Sequence, residues 1–281
     1  MSRERVLLRR LRTLETLEEA VSALRALSAQ HFRAARAPLS AVRAYRDEVR
    51  DFLGVLDSSV TSPGASGPSG IVLVTADLGL VGDYAARLAR EAIELRAELG
   101  AGPLFCLGHR AVAPLAKAGV TPDVVQSAPA SAAGLAAFLL PLVDVLGSLR
   151  QTGGLGALWL VAARFEGAGE YTPVRIPLLP VAVPPGLPPL ESSPYCDVTH
   201  LHDVVVREYL YASIYETLLE ALASEHGKRL VTAESARSWL QKRMSATQRL
   251  ASAIRRETST QEVLEVIVAS RAARSGSGDS R

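Results

Sequence analysis

Cysteine is nearly missing from this chain. Two residues, Cys106 and Cys196, stand in 281, too few for a disulfide framework, and a reducing compartment is expected. Aromatic residues make up only 5%; Ala and Leu carry the apolar content, which favours helices with narrow packing seams. An excess of one charge is missing too: the formal net charge is +2, so bulk nucleic-acid binding is not expected. The N-terminus is charged and amphipathic, unlike a signal peptide. No uncharged apolar run approaches the roughly 20 residues that span a bilayer, so membrane association is expected only through partners.

Enzyme signatures are also lacking. There is no G-x-S-x-G elbow and no G-x-x-x-x-G-K-[ST] phosphate loop. Gly154 and Gly156 lack a third glycine and precede a strand, so they make no dinucleotide fingerprint. His200-Leu201-His202-Asp203 has no further Cys or His beside it to complete a metal site. It reads as a polar turn into a helix with Asp203 near the N-cap. No catalytic residue, cofactor or metal ligand is expected.

Glycine and proline are absent from both ends of the chain over long distances. Residues 3–37 contain neither. Leu7, Leu11, Leu14, Leu17, Val21, Leu24 and Leu27 fall in steps of three and four, which makes one helical stripe. Pro38 should kink or restart the helix, and the pattern resumes through Leu39, Val42, Tyr45, Val49, Phe52 and Leu56. The first helix is basic, with Arg25, Arg33 and Arg36 among its arginines.

Residues 203–269 hold no proline and one glycine, Gly227; a helix of that length would run about 100 Å. Leu240, Met244, Thr247, Ala251, Ile254, Thr258 and Gln261 repeat in steps of four and three, the spacing of a coiled coil. Each terminal helix needs a partner for its stripe, and pairing the two antiparallel satisfies both.

The middle of the chain alternates short apolar runs with helical ones. Strands are expected at 71–75, 104–108, 124–125, 157–165 and 172–183, and helices at 85–99, 110–118 and 132–149. That order predicts a Rossmann-like α/β domain with a mainly parallel sheet. The expected organisation is an N-terminal coiled-coil helix (1–56), a linker (57–70), the α/β domain (71–200), a C-terminal coiled-coil helix (201–270) and a disordered tail (271–281).

Thr75-Ala76-Asp77-Leu78-Gly79-Leu80-Val81-Gly82 follows the first strand. One reading is an anion or nucleotide site at a helix N-terminus. The favoured one is a structural turn in which Gly79 and Gly82 satisfy geometry and Asp77 bonds nearby backbone amides.

Three stretches together resemble the gamma subunit of F-type ATP synthases, the central stalk of a rotary motor. Residues 209–226, YLYASIYETLLEALASEH, are similar to the family's Y-L-x-x-x-(I/V)-Y-x-x-L-L-E-S-x-A-S-E-H. Residues 260–267, TQEVLEVI, resemble its I-T-Q-E-I-T-E-I, and 75–82 its T-S-D-R-G-L-C-G. Order and spacing match over essentially the whole chain. Departures include Leu24 for the first methionine and His31 for the lysine of the family's N-terminal run. Leu78 and Val81 replace the Arg and Cys of the third motif, and Arg255-Arg256 stands where Arg-Gln is usual. They point to a divergent branch, such as an alternative ion-translocating synthase.

The resemblance implies a non-catalytic rotor shaft that binds no ATP and couples ion flow to ATP synthesis or hydrolysis. The implied partners are the alpha and beta subunits of a catalytic ring, the epsilon subunit and a membrane c-ring. The implied place is the cytoplasmic face of the bacterial inner membrane, held peripherally. Rotor–stator contacts carried over are Leu24, Arg25, His31, Arg33, Arg36, Arg255, Arg256 and Gln261. Rival readings are a nucleotide-binding α/β enzyme using the Gly79–Gly82 turn, and a coiled-coil adaptor that dimerises through its terminal helices.

Overall fold

The structure is a computed structural model and describes residues 3–57, 67–167, 169–183 and 197–276. Helix α1 spans Arg3–Arg36 and α2 spans Leu39–Asp57. Ala37 still donates to the carbonyl of Arg33 at 3.0 Å, and Val42 to that of Pro38 at 3.0 Å. Pro38 therefore ends one helix and opens the next, where its missing N–H costs nothing. Cys196, the Pro184–Pro189 stretch and most of the expected linker lie outside the described residues.

Between the terminal helices run β1 (Gly70–Val74), α3 (Tyr84–Leu99), β2 (Leu104–Leu107) and a 3₁₀ turn at His109–Ala111. Then come α4 (Val112–Lys117), β3 (Val124–Gln126), α5 (Leu135–Gln151), β4 (Leu158–Gly167), β5 (Glu170–Leu179) and α6 (Val198–Gly276). The sheet order is β3-β2-β1-β4-β5. The first four strands are parallel, and β4 and β5 pair antiparallel. The antiparallel edge follows from chain length. Two residues separate β4 from β5, enough for a hairpin, whereas a parallel return needs a crossover of a dozen or more. The last strand is correspondingly earlier than 172–183.

Alternation along β1 sorts the core into two layers. Ile71 and Leu73 face α3, with Leu88, Ala92 and Leu95 buried against them. Val72 and Val74 face the other way, toward Leu139 and Leu146 of α5, Leu53 and Leu56 of α2, and Leu218 and Leu222 of α6. β3 is the bare edge: Val124, Val125 and Gln126 are all exposed.

Helix α6 begins five residues before 203. Its first turn is tied by Asp197, whose carboxylate accepts from the amide of Thr199 at 3.1 Å. Asp197 thus takes the capping place expected of Asp203. A charged acceptor ahead of the first turn satisfies an orphan amide, and Asp203 already lies inside the helix. His202 is buried and His200 exposed, and among the described residues no three His, Cys, Asp or Glu side chains gather as a metal site. At the other end α6 continues to Gly276, past the start of the tail expected from 271. Residues 277–281 lie outside the described residues.

The chain divides into two compact units, one of Met1–Arg25 with Ala233–Arg281 and the other of Ala26–Thr232.

Candidate functional site

In the smaller unit the stripe of α1 meets the heptad of α6. Leu14 is buried on one helix and Leu240, Thr247 and Ala251 on the other. Polar pairs flank the seam: Arg237 donates to Glu18 at 2.9 Å, Gln241 to the same carboxylate at 3.3 Å, and Arg25 pairs with Glu234 at 2.7 Å. Contact numbers fall on α6 as they rise on α1, so the helices are antiparallel. The Arg237 guanidinium holds the Glu18 carboxyl below its ordinary range. Pairs this exposed contribute little each; they fix register more than stability.

The heptad stays covered only as far as Ile254. Counting back from the Glu18–Arg237 pair, α1 reaches its first described residue about where α6 reaches 252. Beyond that point every residue from 255 to 269 is exposed. Val263, Leu264, Val266 and Val268 are among them, each more than half exposed. Thr258 and Gln261 continue the repeat in sequence and are exposed, with no facing helix among the described residues.

In the larger unit α6 is clamped across the carboxyl ends of the parallel strands, the crevice where open α/β sheets commonly bind ligands. Arg229 is fully buried there. Its Nε donates to the carbonyl of Gly79 at 3.1 Å, one NH2 group pairs with Glu225, and the other donates to Nδ1 of His226 at 3.0 Å. With Nδ1 accepting, the imidazole proton sits on Nε2, which donates to the carbonyl of Ala130 at 3.1 Å. Burial, reinforced by the charge of Arg229, pushes His226 down to about 4. Burial raises Glu225, against the pull of Arg229. Two further bonds tie the helix down: Tyr84 OH donates to Ala221 O at 3.3 Å, and Ser224 Oγ to Ala163 O at 3.4 Å.

The Asp77–Gly82 turn is thereby occupied by the chain's own side chains. Asp77 accepts from the amide of His109 at 2.6 Å, as the structural reading requires. A Cβ on Gly79 would lie 2.7 Å from the end of the exposed Arg110 side chain, which could swing aside. Gly82 takes φ +62°, and Leu80 also enters the left-handed region at φ +61°, which sequence reasoning did not anticipate. Arg229 is engaged by Gly79, Glu225 and His226, and Arg110 donates to the carbonyl of Asp77.

The carried-over contact residues differ in exposure and in what engages them. Arg33, Arg255, Arg256 and Gln261 are exposed. Arg25 is held by Glu234. Leu24 is half-buried. His31 stacks on His226 with ring centroids 5.0 Å apart. Arg36 lies over Phe165 at 4.9 Å. Sequence reading missed Arg229, because nothing local marks one arginine in a helix as fully buried. It also missed the α2–α6 lattice in which Arg43 and Arg46 reach Glu216 and Glu220. Arg43, Arg46 and Arg50 at intervals of three and four were a legible signal of a charged face.

The family model described as ATP synthase matches residues 4–273. The ATP synthase gamma chain of Moorella thermoacetica is 28% identical over 260 residues, covering 84% of this chain and 86% of that one. Among solved structures, a chain of the mitochondrial ATP synthase of Euglena gracilis superposes with a TM-score of 0.61 at 14% identity, covering 99% of this chain and 97% of that one. A chain from the central stalk and c-ring of the Tetrahymena thermophila enzyme gives 0.56 at 17% identity, covering 77% and 99%. This chain belongs to the ATP synthase family, among the gamma chains. Its function is that of the central stalk, a non-catalytic subunit of a rotary F-type synthase.

Proposed function

We propose that the paired helices of this chain turn inside a ring of alpha and beta subunits while the chain is gripped by the epsilon subunit and a membrane c-ring. The assembly would lie on the cytoplasmic face of the bacterial inner membrane, with the chain attached peripherally. A subunit without rotational symmetry presents a different face to each ring member at each angle. Differential contact energy then favours a different conformation of each catalytic subunit in turn. One charge crossing 100 mV carries about 2.3 kcal/mol, so several crossings must be pooled for each ATP and delivered mechanically.

The observation that carries this reading is the bare segment 255–269 of α6. It sets Val263, Leu264, Val266 and Val268 in exposed positions on one helix, a surface that calls for a surrounding protein. Arg33, Arg255, Arg256 and Gln261 are exposed and available to such a surround. Arg25 and Arg36 are exposed as well, Arg25 beside Glu234 and Arg36 over Phe165, while Leu24 and His31 would act from half-buried positions.

The test is charge reversal, Arg33→Glu together with Arg255→Glu, in the assembled enzyme. Coupling between ion flow and ATP turnover should fall while the isolated chain keeps its stability. Unchanged hydrolysis and unchanged coupling would reject these contacts. A pull-down from native membranes tests the partners directly: the ring subunits should accompany the chain, and a lone homodimer would favour the adaptor instead.

A further inference from the structure

A groove of about 510 Å³ lies between α2, the β4–β5 hairpin and α6. Arg43, Arg46 and Arg50 line it from α2 and Arg164 from β4, and the carboxylates facing them are Glu216 and Glu220 of α6. Two of the four guanidinium groups are committed. Arg43 pairs with Glu216 and Glu220, and Arg46 with Glu216. Both glutamates are nearly buried, so the pairs neutralise charges that would otherwise repel an anion.

The other two guanidinium groups have weaker engagements. Arg50 meets only Asp47 and Asp51 of its own helix, which lie outside the groove lining; Asp47 also draws on Arg46. Arg164 is exposed and enters no ion pair among the described residues. A third donor points to the same place. The hydroxyl of Ser213, a residue only 4% exposed, lines the groove and has no hydrogen-bond partner. A buried hydroxyl left unpartnered costs about 1–3 kcal/mol, which an acceptor oxygen in the groove would relieve. Phe165, Ile176 and Leu178 form an apolar wall beside these donors.

We propose that this groove is a binding site for a phosphate group carried on an organic body. Arg164 and Arg50 clamp its oxygens from the rim, Ser213 donates from the floor, and the apolar wall receives the rest of the molecule. Forked guanidinium donors match the geometry of phosphate oxygens. The shared chemistry is the phosphate; its source is a soluble phosphate compound or a phospholipid headgroup.

The full chain is titrated with inorganic phosphate at constant ionic strength, with chloride as control, and followed by melting temperature and phosphorus NMR. Phosphate should raise the melting temperature where chloride does not. Arg164→Gln should weaken the apparent affinity about tenfold, the effect of losing one charge-assisted bond. Arg50→Gln gives a second reading should Arg164→Gln not fold. Vesicles of phosphatidic acid in phosphatidylcholine separate the sources. Co-flotation abolished by either substitution assigns a headgroup, and phosphate binding without co-flotation assigns a soluble compound. A phosphate effect equal to that of chloride, or one that both substitutions leave intact, overturns the site. So does co-flotation without phosphate binding.

Discussion

Helix α6 meets two opposite environments along one unbroken run of turns. Between residues 212 and 229 only Tyr215 and Lys228 escape burial; between 255 and 269 nothing is buried at all. The first stretch is held by tertiary contacts on nearly every side. The second must rely on its own propensity, helped by Glu257, Glu262 and Glu265 but handicapped by Thr258, Ser259, Thr260 and β-branched valines. A helix hydrophobic all round needs a complete surround. The first stretch finds it within the chain; the second carries exposed apolar residues for a surround supplied by others. One stretch is built to hold still and the other to be touched.

Substitutions that split the two stretches sharpen this contrast. The largest loss is expected from Arg229→Ala, which leaves Glu225 buried without its partner. It should cost about 3–5 kcal/mol in chemical denaturation of the full chain. Replacing both residues by apolar ones of similar volume should recover most of that; failure to recover would mean that the bond to Gly79 dominates the clamp.

Leu219→Ala, at a fully buried site, should cost about 2–5 kcal/mol. Leu264→Ala, in the bare stretch, should stay within about 0.5 kcal/mol. Equal costs from these paired truncations would erase the distinction between the stretches.

Acid should act on the buried stretch through His226. His226 is held neutral when folded, down to about 4, but takes up a proton near pH 6.5 once unfolded. Unfolding therefore binds a proton between those values, and stability falls as pH drops through the window. The loss from this group is about 2–3 kcal/mol. Glu225, raised by burial, opposes it in sign, since its neutral form suits the interior. His226→Gln should flatten the slope measured by melting temperature between pH 6.5 and 4.5. At the helix pair, Arg237→Ala should also have only a small effect in the same chemical denaturation measurement, weaker still at high salt.

How much of this was legible in the sequence follows the range of the interactions. Helices and strands come from local periodicity, and their positions agree with the structure to within a few residues apart from the last strand and the start of α6. The heptad through Leu240, Thr247 and Ala251 predicted a seam that is present, but a repeat cannot reveal where its partner stops. Thr258 and Gln261 keep the spacing and are exposed. Asp77 was readable as an acceptor for backbone amides, but its donor, His109, lies 32 positions away. Arg229 was not, because its burial depends on Gly79, 150 positions away. The Arg43–Glu216 lattice was half visible: periodic arginines announce a charged face, but not which distant helix answers it.

Gly227 shows what that crowding asks of a single position. A Cβ there would meet Phe165 of β4 and Phe32 of α1 at 3.4 and 3.5 Å, and the backbone of Gly169 at 3.7 Å. Those are ordinary contact distances for one methyl but leave no room for a branched side chain. Three segments remote in sequence thus cap the size of one residue, and the cap sits one methyl above what the chain uses. A variant library at this site would pass alanine and reject valine, reading out the spacing of helix, strand and hairpin like a feeler gauge.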